Sequence, residues 1–314
     1  MVLLLQYTLI FASVLILVAL GGCFSEHSGV INLGLEGVMI MGALGGALAM
    51  RYMPANTSAF VMIVVVLLAA ALLGTVYSSL LAVACINFKA DQTIVGTALN
   101  MLGTAGATVI VKAINTAANP DDVSSIIQYA GAKKAFVVNI GSFEFSWFML
   151  VTALLLIAAY VVLYKTRFGL RLRACGEHPQ AADSVGINVY KMRYAGVLIS
   201  GLLGGIGGLA YTVAAGSGFN SDVGGYGFLA LAVMIFGNWK PLPILGASLF
   251  FALFKVIAAL NSTLSFLPKF EGVKEISNFY QMLPYIVTMI VLIFTSKNSQ
   301  APKAEGIPYD KGSR

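Results

Sequence analysis

Charged residues are scarce in this chain: they make up 10% of its 314 residues, against about 25% in an average soluble domain. Hydrophobic residues reach 59%, and the mean hydropathy is +0.88. A water-soluble fold of this length could not bury that much apolar surface. The composition predicts an all-α, polytopic transmembrane helical bundle, and it excludes soluble enzymes, nucleic-acid-binding modules and disordered regulators.

Residues that do chemistry are also few. The three cysteines are far apart and match no metal or redox spacing, and their odd number argues against a disulfide framework. His27 and His178 are isolated, and the motif GxxxxGK[ST], which binds ATP phosphates, is missing. The sequence therefore predicts no enzyme, no metal site and no cofactor bound by this chain.

About nine apolar stretches predict a transmembrane domain over residues 1–296, followed by a tail at 297–314. Residues 1–22 lack the basic n-region of a signal peptide, so the first stretch is interpreted as a retained span. Most stretches are near the roughly 20 residues that a helix needs to cross a membrane. The stretch 226–238 is shorter, and 30–50 is either a span or a re-entrant segment. The stretches are 3–22, 30–50, 58–86, 93–113, 147–164, 194–215, 226–238, 242–260 and 279–296.

Basic residues predict the orientation, within a net charge of +6. Lysine and arginine concentrate in the loop 165–193 and in the tail, and such residues collect on the cytoplasmic side. That rule places both segments and a turn at 23–29 in the cytoplasm. It places the loop 114–146 and the N-terminus outside, and the C-terminus inside.

A short capped segment within the basic loop predicts a surface helix. Pro179 suits the first position of a helix, and Gly186 suits the left-handed residue that ends one. The two turns between them carry a small, mildly apolar face formed by Ala181, Ala182 and Val185. Two interpretations stay open: a docking element for a soluble partner, or an ordinary helix at the membrane interface.

Glu36 is an ionisable residue inside an apolar stretch, which by default indicates function. It also lies near a predicted helix N-terminus, where the helix dipole favours a carboxylate. Asn32, one turn earlier, is placed to hydrogen-bond it. Glu36 is interpreted either as a polar anchor for a helix start or as part of a translocation path.

Glycines mark two further features. Gly224 and Gly225 precede Tyr226 and Phe228 and run into a half-length apolar stretch, as in a discontinuous membrane helix. Unwound backbone is tolerated at that depth only where it is buried in protein or lines a water-filled cavity. The second feature is a ladder that indicates close helix packing, formed by Gly201, Gly204, Gly205, Gly207 and Gly208.

These segments resemble those of a known family, the permease subunits of bacterial ABC importers in the branched-chain amino acid/simple-sugar group. Within it the chain is most similar to nucleoside permeases that work with basic-membrane-protein-type lipoproteins. The most specific stretch is Gly176-Glu-His-Pro-Gln-Ala-Ala-Asp-Ser-Val-Gly-Ile-Asn188. The others are Phe24–Gly37, Lys89–Gln92, Phe168–Cys175, Met234–Pro241 and Pro302–Lys311.

The resemblance implies a coupling helix at 176–188 that fits a groove on the ATPase subunit. Its predicted coupling residues are Gly176, Glu177, Pro179, Ala181, Ala182, Asp183, Val185 and Gly186. The predicted pathway residues are Asn32, Glu36, Gly224, Gly225, Tyr226 and Phe228.

The resemblance also implies partners and a place in the cell. They are a second related permease in a heterodimer, a cytoplasmic ABC ATPase that binds ATP and magnesium, and a lipid-anchored substrate-binding protein. The implied location is the bacterial plasma membrane, and the implied substrate is a nucleoside. The alternatives are a simple sugar such as ribose, or a stand-alone secondary transporter. The latter would need ligands for a coupling ion, whereas the spans contain almost no acidic residue except Glu36.

Overall fold

The computed structural model describes residues 2–54, 56–141, 143–216, 218–260 and 300–312, and between 261 and 299 only 282–283, 286–290 and 293. The described chain is mainly helical. Its helices are α1 (Val2–His27), α2 (Leu35–Tyr52), α3 (Ala59–Ala82), α4 (Gln92–Ala118), α5 (Ala130–Lys133), α6 (Trp147–Lys165), α7 (Arg167–Glu177), α8 (Pro179–Ser184), α9 (Val189–Ala215), α10 (Tyr226–Phe236) and α11 (Pro241–Ala259). A π-helical turn, Val83–Asn87, continues α3, and a 3₁₀ turn, Lys134–Phe136, follows α5.

Two small antiparallel sheets complete the described structure. Strand β1 (Ile127–Gln128) pairs with β4 (Gly218–Phe219), so that Ile127 lies opposite Phe219. Strand β2 (Val137–Ile140) pairs with β3 (Phe143–Ser146), so that Val137 lies opposite Ser146.

Six helices within the described residues are long and apolar enough to cross a membrane: α1, α3 with its π turn, α4, α6, α9 and α11. This confirms the predicted all-α, polytopic class. With 11 residues, α10 rises only about 16 Å, which is about half of a hydrocarbon core. The predicted stretch 279–296 lies largely outside the described residues.

Two predicted boundaries near the N-terminus are wrong. The turn predicted at 23–29 is helical through His27: Gly21 and Gly22 stay in the helix, packed against neighbouring helices, and the chain turns only at Gly29, where φ is +91°. The stretch predicted to begin at residue 30 becomes helical only at Leu35, since residues 28–34 form a buried non-helical connection. Helices α2 and α10 are therefore each preceded by a non-helical segment.

Helix α9 lies at the centre of the bundle and packs against α1, α2 and α3. The predicted glycine ladder makes this possible. A methyl group on Gly205 would overlap the Ala70 carbonyl of α3, and one on Gly208 would overlap the Met39 carbonyl of α2. The structure confirms close backbone approach as the role of the ladder.

The bundle has two chemically different ends. At one end, here called the basic end, α7 and α8 meet the C-terminal segment 300–312. At the opposite end, the loop 114–146 contacts the start of α1, where Gln6 Nε2 donates to Glu144 Oε2 at 3.0 Å. In that loop the Tyr129 hydroxyl also donates to the Thr212 carbonyl near the end of α9, at 2.9 Å.

Candidate translocation and coupling sites

Glu36 joins the starts of α2 and α10. Its Oε1 accepts a hydrogen bond from the Gly225 amide at 2.9 Å, and its Oε2 accepts one from the Gly227 amide at 2.7 Å. The side chain is only 9% exposed. Glu36 therefore caps a helix 189 residues away in sequence.

Electrostatics explain why an acidic residue is placed here. Glu36 lies in the first turn of its own helix and faces the first turn of α10 as well. The free N–H groups of a helix start carry partial positive charge, so two helix N-termini act on one carboxylate. Gly225 lets the chain turn into α10, because its φ of +74° is in the left-handed region that favours glycine.

Polar side chains satisfy the unwound backbone before α2. Asn100 of α4 accepts from the Gly37 amide and donates to the Leu33 carbonyl, both at 2.8 Å. The Gln92 side chain accepts from the Ile31 amide at 2.6 Å. These contacts replace the hydrogen bonds that a continuous helix would make, as burial inside the bundle requires.

The predicted hydrogen bond between Asn32 and Glu36 is wrong. The Asn32 side chain donates to Ser200 Oγ of α9 at 2.9 Å and accepts from the Gly34 amide at 3.1 Å. Residues 28–34 are not helical, so Asn32 does not occupy the position one helical turn before Glu36 that the sequence suggested. Asn32 ties the unwound segment to the central helix instead.

An aromatic cluster surrounds the start of α10. The Tyr226 ring lies 4.8 Å from that of Tyr211 and 5.5 Å from that of Phe11, measured between centroids. Lys255 Nζ of α11 is 5.2 Å from the centroid of the same ring. The Phe228 side chain, by contrast, is 54% exposed on the surface of the bundle. The structure thus brings Glu36, Gly225 and Tyr226 together, while Phe228 faces outward.

Gly227 belongs to this site although sequence reasoning did not single it out. A Cβ atom at this position would lie 2.5 Å from the Glu36 backbone nitrogen and 2.6 Å from its Cα. Only glycine lets α10 approach α2 closely enough for the carboxylate to reach the amides. The glycine run at 224–227 carried the signal, but spacing alone did not distinguish the residue in contact.

The far end of α10 is anchored to α1. The Trp239 indole N–H donates to Glu26 Oε2, and the Trp239 carbonyl accepts from His27 Nε2 at 2.9 Å and from Cys23 Sγ at 3.1 Å. Trp239 has a φ of +54°, so these contacts hold a backbone conformation that is rare for a large residue. Both ends of this half-length helix are therefore tied to the bundle.

At the basic end, α8 has the predicted start and stop, but it covers only the middle of the coupling helix expected at 176–188, since Gly176 and Glu177 end α7 and residues 185–188 are not helical. Pro179 is in the first turn, and Gly186, with a φ of +84°, follows the helix. The predicted coupling residues divide by exposure. Glu177, Ala181, Val185 and Gly186 are exposed, Asp183 is half-buried, and Gly176, Pro179 and Ala182 are buried within this chain.

The expectation that Ala182 presents a small face to a partner is wrong. Its side chain is 4% exposed and packs with Cys175, Val189 and Tyr309. Val185, which is 75% exposed, is the large apolar residue on the open side, next to the smaller Ala181. Gly176 connects this region to the bundle, because a methyl group there would overlap the His27 carbonyl at the end of α1.

Comparisons with known proteins fit this architecture. A family model described as the permease component of a branched-chain amino acid transport system matches residues 4–295. The guanosine ABC transporter permease protein NupQ of Bacillus subtilis is 42% identical over 98% of this chain and 96% of the relative. The nucleoside ABC transporter permease protein NupC of Lactococcus lactis is 39% identical over 96% and 95%, respectively.

A more distant relative is the putative glucose ABC transporter permease protein TsgC13 of Haloferax volcanii. It is 31% identical over 83% of this chain and 78% of its own length. The family predicted from the sequence motifs is confirmed by the match over nearly the whole chain. The chain belongs to the family of branched-chain amino acid transport system permease components, and it is a multi-pass membrane protein that serves as the permease component of an ABC importer.

Proposed function

We propose that this permease imports nucleosides. The observation that carries the proposal is the similarity to two relatives named for guanosine and nucleoside transport, at 42% and 39% identity over almost the full chain. The relative named for glucose is 31% identical and covers less of the chain. A simple sugar such as ribose is therefore the second candidate.

The proposed pathway passes the start of α10, where Glu36, Gly224, Gly225 and Tyr226 lie. This chain supplies no chemistry to the substrate; it opens and closes a route. Because α10 is anchored to α2 at one end and to α1 at the other, a displacement at the basic end reaches its start through hydrogen bonds already in place. Glu36 is thereby proposed to be a structural anchor within the pathway wall.

The proposed driver is a separate cytoplasmic ATPase, which binds ATP and magnesium and contacts the exposed side of α8 through Val185. A second related permease and a lipid-anchored substrate-binding protein complete the proposed complex, which lies in a bacterial plasma membrane. The secondary-transporter alternative is disfavoured by the position of Glu36. Its two carboxylate oxygens accept backbone amides, and the other buried acid of the described spans, Glu26 of α1, accepts from the Trp239 indole, so both acids that could bind a coupling ion are already engaged.

The substrate is tested by competition in cells or vesicles that contain the complete transporter. Uptake of labelled guanosine is expected to fall strongly with excess unlabelled inosine or adenosine and to be unaffected by ribose or glucose. The control is a strain that lacks the permease. Competition by ribose without competition by nucleosides would transfer the assignment to sugars.

The proposed orientation places the basic end in the cytoplasm, with the N-terminus outside. A cysteine at Val123, which is 74% exposed, is expected to react with an impermeant maleimide in intact cells, whereas one at the exposed Ser184 is expected to react only after permeabilisation. The three natural cysteines are buried, so the background is low. Labelling of the Ser184 position in intact cells would reverse the orientation.

A further inference from the structure

Residues 300–312, here called the C-terminal strap, cross the basic end of the bundle. They form hydrogen bonds with residues in or next to several helices. The Ala304 amide donates to the Gly176 carbonyl in the last turn of α7 at 2.8 Å. The Gln300 amide donates to Asn238 Oδ1, two residues after α10, also at 2.8 Å. The strap therefore contacts both the proposed coupling segment, residues 176–188, and the chain just after the half-length helix α10.

The strap also binds α9 and α1. Arg193 of α9 is only 1% exposed, and its Nη1 donates to the Ile307 carbonyl at 3.0 Å. Glu305 lies beside the Glu26 carboxyl near the end of α1, and its Oε2 is buried without a hydrogen-bond partner. Burial raises the pKa of Glu305 to about 7, so a proton is retained there more readily than on an exposed glutamate.

Tyr309 packs the strap against the buried side of α8. It is 4% exposed, and it forms a small core with Cys175 of α7, Ala182 of α8 and Val189 of α9. Its ring also contacts that of Tyr190, with centroids 5.3 Å apart. The buried side of α8 thus rests partly on the strap.

Helix α8 cannot hold its own position. It has six residues, of which Pro179 and Ala182 are buried. A helix this short is not stable alone in water and depends on tertiary packing. A force applied at Val185 would be lost in local bending unless something behind α8 resisted it.

We propose that the C-terminal strap is that support: it holds α8 in place and transmits its movement to α10 through Asn238 and to α1 through Glu26. The proposal rests on the coupling role proposed for α8. Tyr309 and Arg193 act as positioning residues, since neither is on the exposed side of α8. Displacing the strap is thus expected to uncouple the transporter: the ATPase stays bound, but its movement no longer reaches the pathway.

The test uses Tyr309→Ala, with Tyr309→Phe as the matched control, in the complete transporter. The measurements are ATPase capture and nucleoside transported per ATP hydrolysed. Loss of a large buried side chain opens the packed cluster, and we expect transport per ATP to fall about tenfold or more while capture stays within about twofold. Tyr309→Phe keeps the ring and is expected to behave like the natural protein.

Cys175 reports strap docking directly. It is buried against Tyr309, and burial raises its pKa to about 11, so it is expected to resist maleimide in the natural protein and to react in Tyr309→Ala. Cys175→Ser identifies the labelled site. If Tyr309→Ala does not accumulate, Gly306→Val strains the strap, because Gly306 has a φ of +75°; Gly312→Val is its control.

The outcomes separate the two proposals. Unchanged transport per ATP with a reactive Cys175 would overturn the strap proposal, and so would a loss of capture that accounts for the whole loss of uptake. Failure of the natural protein to capture any ATPase would instead overturn the proposed function.

Discussion

Replacing Val185 with aspartate is expected to abolish uptake while the chain remains inserted in the membrane. Val185 is 75% exposed beside α8 and is the large apolar residue on its open side. A carboxylate buried there without a partner would have to be desolvated, which lowers ATPase affinity by about 100-fold or more. Insertion is unaffected because the residue lies outside the spans. The measurements are membrane abundance, ATPase capture and nucleoside uptake.

Val123→Asp is the matched control, since Val123 is 74% exposed and lies in the loop at the opposite end. It is expected to keep capture and uptake. Gly186→Val tests the same helix end through backbone strain alone, because φ is +84° and no atom lies within 4 Å of a Cβ at this position. Normal uptake by Val185→Asp would leave α8 as an ordinary surface helix.

The second large effect is expected at the contact between α2 and α10. Gly227→Ala places a methyl group 2.5 Å from the Glu36 backbone nitrogen, so the two helices must separate. Overpacking of this kind costs about 1–3 kcal/mol, and the separation also breaks the hydrogen bonds to the carboxylate. We expect less folded protein and at least about a tenfold loss of uptake per folded molecule.

Gly246→Ala is the control, because Gly246 is also in an apolar helix and its Cβ would have open space. It is expected to be neutral. Glu36→Gln is expected to reduce uptake only modestly, since the neutral amide keeps the shape of the side chain and one acceptor oxygen for the amides of α10. Uptake near zero at normal abundance in Glu36→Gln would assign the charge itself to the pathway. Full uptake in Gly227→Ala would refute the close contact.

The sequence by itself determined the features that depend on composition and on neighbours along the chain. A chain with 59% hydrophobic residues must be covered by lipid, which establishes the class. Pro179 and Gly186 act through their own φ preferences, so the limits of α8 were predictable. The close packing of the glycine ladder was also predictable, because a residue without a side chain permits contact with whichever backbone lies nearest.

Only the tertiary structure decided which residues meet. Glu36 and Gly225 are 189 residues apart, and no local signal relates a carboxylate to a particular helix start that far away. The same is true of Arg193 and Ile307, which are 114 residues apart. Ala182 and Val185 are both small apolar residues three positions apart, yet one is buried under Tyr309 and the other is exposed. A six-residue helix has two sides, and the chain that packs against it determines which side stays open to a partner.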